Sequence, residues 1–157
     1  MDVFTAAEEI MENALVSVLS YRTQSGRISS HPMLPLYSRE RKKLYMTSSI
    51  LFSKKAEHIK KNPKVGVLFS GRQFIKLPSY SALHLKGDAR VIEDDLHDGW
   101  SWLVELWRKK EPYIESFIKQ RVALPLFWER VIIEITPREM LLWKNGVLRN
   151  EPLRWKA

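Results

Sequence analysis

The sequence predicts a mostly β domain: a small closed or nearly closed barrel with helices in its connections, with an open α+β sheet as the competing arrangement. Three observations carry that prediction. About six short segments have strand chemistry, and the helical patterns fall before or between them. Two of the strands are bent, since Pro32 and Pro35 interrupt one and Gly87 sits in the middle of another. The chain has 157 residues and no internal repeat, linker or low-complexity stretch, which suits one core. We therefore expect a single domain over 1–157 with a helical insertion at about 95–120.

Taken in order, Thr5 is a candidate cap for a first helix through about Asn13, with Glu8 three residues on as a capping box. ALVSVLSYR changes to strand chemistry, TQSGR turns around Gly26, and ISSHPMLPLYS returns as the second arm of a hairpin. Pro32 and Pro35 lack an N–H, so this arm lies at an edge or carries a ladder break. RERKK is a charged turn into KLYMT, a strand with Leu44 and Met46 on one face and Tyr45 and Thr47 on the other. Ser53 is placed to cap a helix through KKAEHIKK that Asn62-Pro63 ends. VGVLF reads as a strand buried on both faces. RQFIKLPSY is a loop or ragged strand end.

SALHLKGDARVIE is the clearest strand: Leu83, Leu85, Gly87, Ala89 and Val91 share one face. DDLHDGWSWLVELWRKK reads as a helix with Leu96, Trp100, Leu103 and Trp107 on one side, and EPYIESFIKQ as a shorter one. ERVIIEITPREMLLW is a strand, a turn at Thr136-Pro137 and another strand. A turn at Asn145-Gly146 and a basic tail with Trp155 close the chain.

Charge singles out one stretch. The net formal charge is +8. Nine Lys/Arg against two Glu between Arg39 and Lys64 make a local +7 that holds nearly all of it. A helix N-terminus carries a partial positive charge, so Lys54 and Lys55 in a first turn are disfavoured by about 0.3–1 kcal/mol each. Beside free backbone N–H groups and the hydroxyls of Thr47, Ser48, Ser49 and Ser53, they suit a bound anion, most naturally a phosphate. Two solvated lysines at a fraying helix end read the same way. The basic patch is compatible with nucleic acid, an anionic cofactor or an acidic surface, but no nucleic-acid-binding motif accompanies it.

The absence of cysteine removes disulfides, thiolate metal sites and cysteine nucleophiles. No apolar run reaches the roughly 18 residues of a membrane span, and Asp2, Glu8 and Glu9 oppose a signal peptide, so a cytoplasmic protein is expected. His58 and His97 lie on helical patterns without a second ligand four residues on, so no metal site is expected. His84 falls on the polar face of its strand, and Asp94-Asp95 reads as a helix cap. Trp100, Trp102 and Trp107 cover more than one helical face, chiefly as core residues.

Four pieces in order resemble the flavin-binding split β-barrels typified by pyridoxamine 5′-phosphate oxidase. They are the hairpin turn Gly26-Arg27, a strand ending Tyr45-x-Thr47, Ser53-Lys54-Lys55 opening a helix that ends Asn62-Pro63, and a strand with Gly87-x-Ala89. The resemblance runs from about Leu15 to Glu93 and resumes at Glu129. It implies a six-stranded antiparallel split barrel of the FMN-binding type, a homodimer with the cofactor at the subunit interface. It implies Ser53, Lys54 and Lys55 at the FMN phosphate, Thr47-Ser48 against the flavin, and the backbone of His31, Pro32 and Met33 along the ring. Trp143 and Arg149 keep the six-residue spacing of the oxidase's flavin-contacting Trp and substrate-gripping Arg.

Departures limit the carry-over. The hairpin arm SSHPMLPLY has only His31 where the oxidase supplies an Arg and a Lys, and the loop from Thr47 to Lys54 is two residues longer. Arg149 is followed by Asn150-Glu151 instead of Leu-His, and the oxidase's Gln before the Gly-x-Ala strand falls at about Ala82. Scaffold and phosphate site thus carry over better than the substrate site. The expectation is an FMN-dependent oxidoreductase acting on an unidentified small molecule. Alternatives are a deazaflavin- or haem-binding protein of the same fold, or a non-enzymatic flavin-binding or stress-related module.

Overall fold

In the computed structural model, which describes residues 2–157, helix α1 (Val3–Asn13) leads into strands β1 (Ser17–Arg22) and β2 (Ile28–Met33). A short β3 (Leu36–Ser38), β4 (Lys43–Ser49), helix α2 (Lys54–Lys61), β5 (Lys64–Phe69) and the long β6 (Ser81–Ile92) follow. Helices α3 (Val104–Lys110) and α4 (Ile114–Ile118), flanked by 3-10 turns at Ser101–Leu103 and Lys119–Val122, come before the longest strand, β7 (Arg130–Lys144). A short β8 (Leu153–Lys156) closes the chain. All pairings are antiparallel, and the strands form one sheet in the order β2-β1-β5-β6-β7-β4-β3, with β8 beside the far half of β7. The two ends of that order, β2 and β3, are joined directly by Leu34-Pro35, so the sheet curls back on itself as a split barrel. Eight strands stand where six were expected. The extra two are β3, cut from the hairpin arm by Pro35, and β8, the basic tail.

Alternation along the strands sorts two cores. Leu19, Leu44, Met46, Val67, Phe69, Leu83, Leu85, Ile133 and Ile135 fill the barrel, and Ala7, Ile10 and Met11 of α1 cover one end. On the opposite faces of β3, β4 and β7, Leu36, Tyr45 and Ile132 pack against Trp100, Leu103, Ile114 and Trp128 of the helical segment. Val65, Val67 and Phe69 point inward while Leu68 is 38% exposed, so β5 is buried on one face only, unlike its sequence pattern.

Local chemistry differs from expectation at four points. Asp2, not Thr5, caps α1, accepting from the Thr5 backbone N at 3.0 Å and its hydroxyl at 2.8 Å. Glu8 is consumed instead by a buried network, accepting from Tyr37 Oη (2.8 Å), Lys42 Nζ (2.7 Å) and Arg39 Nη1 (3.1 Å). The tryptophan helix starts late, with turns at 95–100 in which Asp95 accepts from the backbone N of His97 and Asp98. The turn expected at Thr136-Pro137 is no turn, because β7 runs through it.

That last point determines the barrel's shape. Pairing between β6 and β7 shifts between Lys86 and Gly87, opposite Pro137 and Glu139, leaving Arg138 as the extra residue of a bulge. The bulge absorbs the missing N–H of Pro137 and bends both long strands. Gly87 is required there, since a Cβ would lie 2.6 Å from Thr136 O and 2.8 Å from Ile135 Cγ2. Gly87→Ala is expected to cost about 1–3 kcal/mol, read as a fall of several degrees in Tm on thermal unfolding. An unchanged Tm would mean the bend is held elsewhere.

Candidate functional site

The two lysines at the start of α2 lie in different environments. Lys54 is exposed, whereas Lys55 is 8% exposed and donates from Nζ to Phe52 O at 2.7 Å. Ser53 precedes the helix as expected but does not cap it; its hydroxyl donates to Ile50 O at 3.0 Å. The 3-10 turn at Ile50–Phe52 takes up the extra loop residues and turns its last carbonyl toward Lys55.

Arg130 faces this turn from the start of β7, paired in register with Ser49. It is 8% exposed. Its Nε donates to Thr47 Oγ1 at 2.9 Å, Nη2 to Thr47 O at 3.3 Å and Nη1 to Phe127 O at 3.3 Å. The rings of Trp107, Phe127 and Trp128 surround the guanidinium at 5.4, 5.2 and 5.8 Å. Burial pushes Arg130 down to about 10. Lys55 is also lowered, by burial first and then by the positive charge of Arg130. The hydrogen-bond partners of both cations are carbonyl and hydroxyl oxygens, with no carboxylate among the described residues. Buried charges are ordinarily paired, because desolvation is otherwise uncompensated.

A cavity of about 160 Å³ opens beside Arg130, walled by Pro32, Met33, Leu34, Leu36, Thr47 and Trp107. It gathers Pro32, Met33 and Thr47 from the sequence-derived set. Ser48 is buried nearby, its hydroxyl donating to Phe52 O at 3.3 Å. His31 does not line this cavity; its Nε2 meets Tyr21 Oη at 2.8 Å and the two rings stack. Trp143 is half-buried at the far end of β7, opposite Ala82, and Arg149 is exposed in the turn beyond it. Thirteen residues of strand, on the order of 40 Å of path at ~3.3 Å each, separate Trp143 from Arg130. A single chain does not bring these two to the cavity.

Sequence reasoning missed Arg130 and its aromatic cage of Trp107, Phe127 and Trp128. The one available signal was a cation opening an otherwise apolar strand, ERVII. By contrast, a groove of about 450 Å³ on the outer face of β1, β5 and β6 holds none of the sequence-derived residues. Three of its five cations, Lys64, Lys86 and Arg138, are paired with its own carboxylates Asp88 and Glu139.

The site fits the phosphate of a flavin in one respect that this chain supplies by itself: two buried cations without a counter-anion. At about 160 Å³ the cavity is smaller than the ~300–1,000 Å³ of a complete ligand pocket.

A family model described as "Pyridoxamine 5'-phosphate oxidase" matches residues 5–144. No curated protein matches the sequence. Solved structures share the fold. General Stress Protein 26 from Bacillus anthracis str. Sterne is 19% identical over 100% of both chains, with a TM-score of 0.63. An F420 reductase is 19% identical over 85% of this chain and 94% of its own, with a TM-score of 0.59. A heme binding protein from Mycobacterium smegmatis is 10% identical over 99% of this chain, which spans 58% of that one, with a TM-score of 0.68.

The lowered pKa of Lys55 has a pH consequence. Below the free-lysine value of 10.5 and above the depressed folded value, the unfolded state holds more protons, so the contribution of this residue to stability rises with pH. Denaturant titrations of wild type and Lys55→Met across this range should show their difference moving in favour of wild type as pH rises. Inorganic phosphate, by holding the ammonium charged, should flatten that trend. A difference independent of pH would place the Lys55 ammonium in a water-like environment.

Proposed function

This chain belongs to the pyridoxamine 5′-phosphate oxidase family, and we propose that it is an FMN-binding oxidoreductase working on a small molecule. The observation that carries this reading is the pair of buried cations without a carboxylate partner: Arg130, which lines the cavity with Pro32, Met33 and Thr47, and Lys55, at the turn that Arg130 faces. FMN supplies hydride and electron transfer when bound. The protein supplies its holding and orientation. Lys55, Lys54 and Ser53 would hold the phosphate, Lys55 from a buried position and Lys54 from an exposed one. Thr47 and Ser48 would contact the flavin, and the backbone of His31, Pro32 and Met33 would border its ring.

The site is incomplete in one chain, which supports a homodimer with the cofactor at the interface. In that arrangement Trp143 and Arg149 come from the second copy, the first against the ring and the second toward the substrate. A cytoplasmic location is part of the proposal; among the described residues no helix is long and apolar enough to cross a membrane.

Two solved relatives of the fold give a second reading a specific basis, since one is an F420 reductase and another a heme binding protein. A deazaflavin or a haem is therefore the alternative cofactor, and a stress-related module without turnover is the alternative role. An absorbance spectrum of the purified protein, before and after FMN, separates flavin from haem and deazaflavin. Reduction of the bound flavin by NADH or NADPH then tests for an enzyme.

Titration provides the quantitative check. A charge-assisted contact contributes about 1.5–3 kcal/mol, so Lys54→Ala together with Lys55→Ala should weaken FMN by at least about 100-fold. Riboflavin, which lacks the phosphate, should change little. Equal losses for both ligands would assign the lysines to the fold alone.

A further inference from the structure

We propose that Arg130 is the second cation of the anion site and that, with Lys55, it forms a pocket for a phosphate-sized dianion. This rests on the flavin reading for the identity of the ligand, the FMN phosphate, but not for the existence of the pocket.

Donor accounting comes first. A guanidinium has five N–H donors and an ammonium three. Arg130 directs three at Thr47 and Phe127, and Lys55 directs one at Phe52 O. Donors are left over on both, at residues that are each only 8% exposed. The charge balance points the same way. Arg130 donates to Thr47, and the next residue, Ser48, shares the Phe52 carbonyl with Lys55; over that span the positive charge of Arg130 lowers the proton affinity of Lys55. The aromatic cage attracts the guanidinium through its ring faces but cannot neutralise it. A phosphomonoester dianion neutralises both cations, whereas a single carboxylate leaves one over.

Position adds a third argument. Arg130 lines the cavity whose other walls are Pro32 and Met33 of β2 and Thr47 of β4. The hairpin arm of this chain carries no Arg or Lys from Ser29 to Tyr37. Arg130 reaches the same cavity from β7, and its planar fork matches a phosphate better than an ammonium would.

The test compares wild type, Arg130→Met and Arg130→Lys, with FMN, riboflavin and inorganic phosphate as probes. Arg130→Met keeps an apolar stem in the aromatic cage and removes the charge; Arg130→Lys keeps the charge and removes the fork. FMN affinity should fall about 10- to 100-fold in the Met variant and less in the Lys variant, with riboflavin within about threefold in both. Inorganic phosphate should raise the Tm of wild type and leave that of Arg130→Met unmoved. If the Met variant does not fold, the Lys variant carries the FMN-to-riboflavin comparison. FMN held with full affinity by the variants overturns the inference while leaving the flavin reading intact. So do equal losses for FMN and riboflavin. A wild type that responds to phosphate through Arg130 but takes no FMN supports the pocket and sinks the flavin reading. A wild type indifferent to both probes overturns the pocket.

Discussion

The β6–β7 ladder is the constraint on which the rest of the molecule depends. β7 pairs with β6 along most of its length, and with β4 and β8 on its other edge, at opposite ends of the strand. A straight strand of that length would hold those neighbours in one flat sheet. The bulge at Arg138 and the close approach at Gly87 bend it, so that β4 and β8 face different directions. Barrel closure follows: β4 carries β3 round until Leu34-Pro35 is enough to reach β2. The first residue of β7, Arg130, is placed beside Thr47 by the same register.

The helical segment between β6 and β7 is held by polar contacts as much as by its tryptophans. Lys110 Nζ donates to Met11 O (2.7 Å), Ala14 O (2.7 Å) and Pro35 O (2.5 Å), satisfying carbonyls at the end of α1 and just before β3. Burial pushes that ammonium down to about 7 against the opposing charge of Glu12, and accepting carbonyls favour its charged form. Glu134 does the reverse on β7, a buried carboxylate accepting from Lys43, Tyr45 and Arg90. Burial raises its proton affinity, and these partners more than offset that. With α3 tethered at Lys110, Trp107 lies against Arg130, and Trp128 stacks on Trp100 at 5.7 Å. The cage, the cavity and the buried cations are therefore one unit with the helical segment. Glu134 accepts from two cations, and Lys110 uses all three of its donors on carbonyls; Lys55 uses one donor of three and Arg130 three of five. That difference sets Lys55 and Arg130 apart from the other buried charges.

Local pattern was enough for the strands with clean alternation. Leu83, Leu85 and Gly87 on one face of β6, Leu44 and Met46 against Tyr45 on β4, and Asn62-Pro63 after α2 all follow from the preferences of neighbouring residues. The Gly87 bend was legible too, since an isolated glycine in a strong strand has few other uses. The order of short motifs was sufficient for the family, because order and spacing survive where no single motif is specific.

What the chain alone left undecided depends on partners distant in sequence. Pro137 reads as a turn locally and becomes a bulge because β6 supplies ladder bonds on both sides of it. Glu8 reads as a capping residue and becomes a buried acceptor because Tyr37 and Lys42 arrive from 29 and 34 residues away. Lys54 and Lys55 are equivalent as letters, yet the helix places one in solvent and one in the interior. Arg130 is the sharpest case: its role depends on Thr47, 83 residues earlier, and on a cage from the helical segment. Sequence alone determined most of the strand pattern and the family, since these rest on local spacing and composition. Tertiary structure alone decided which cations are buried without a counter-charge, because burial and pairing are properties of residues brought together from across the chain.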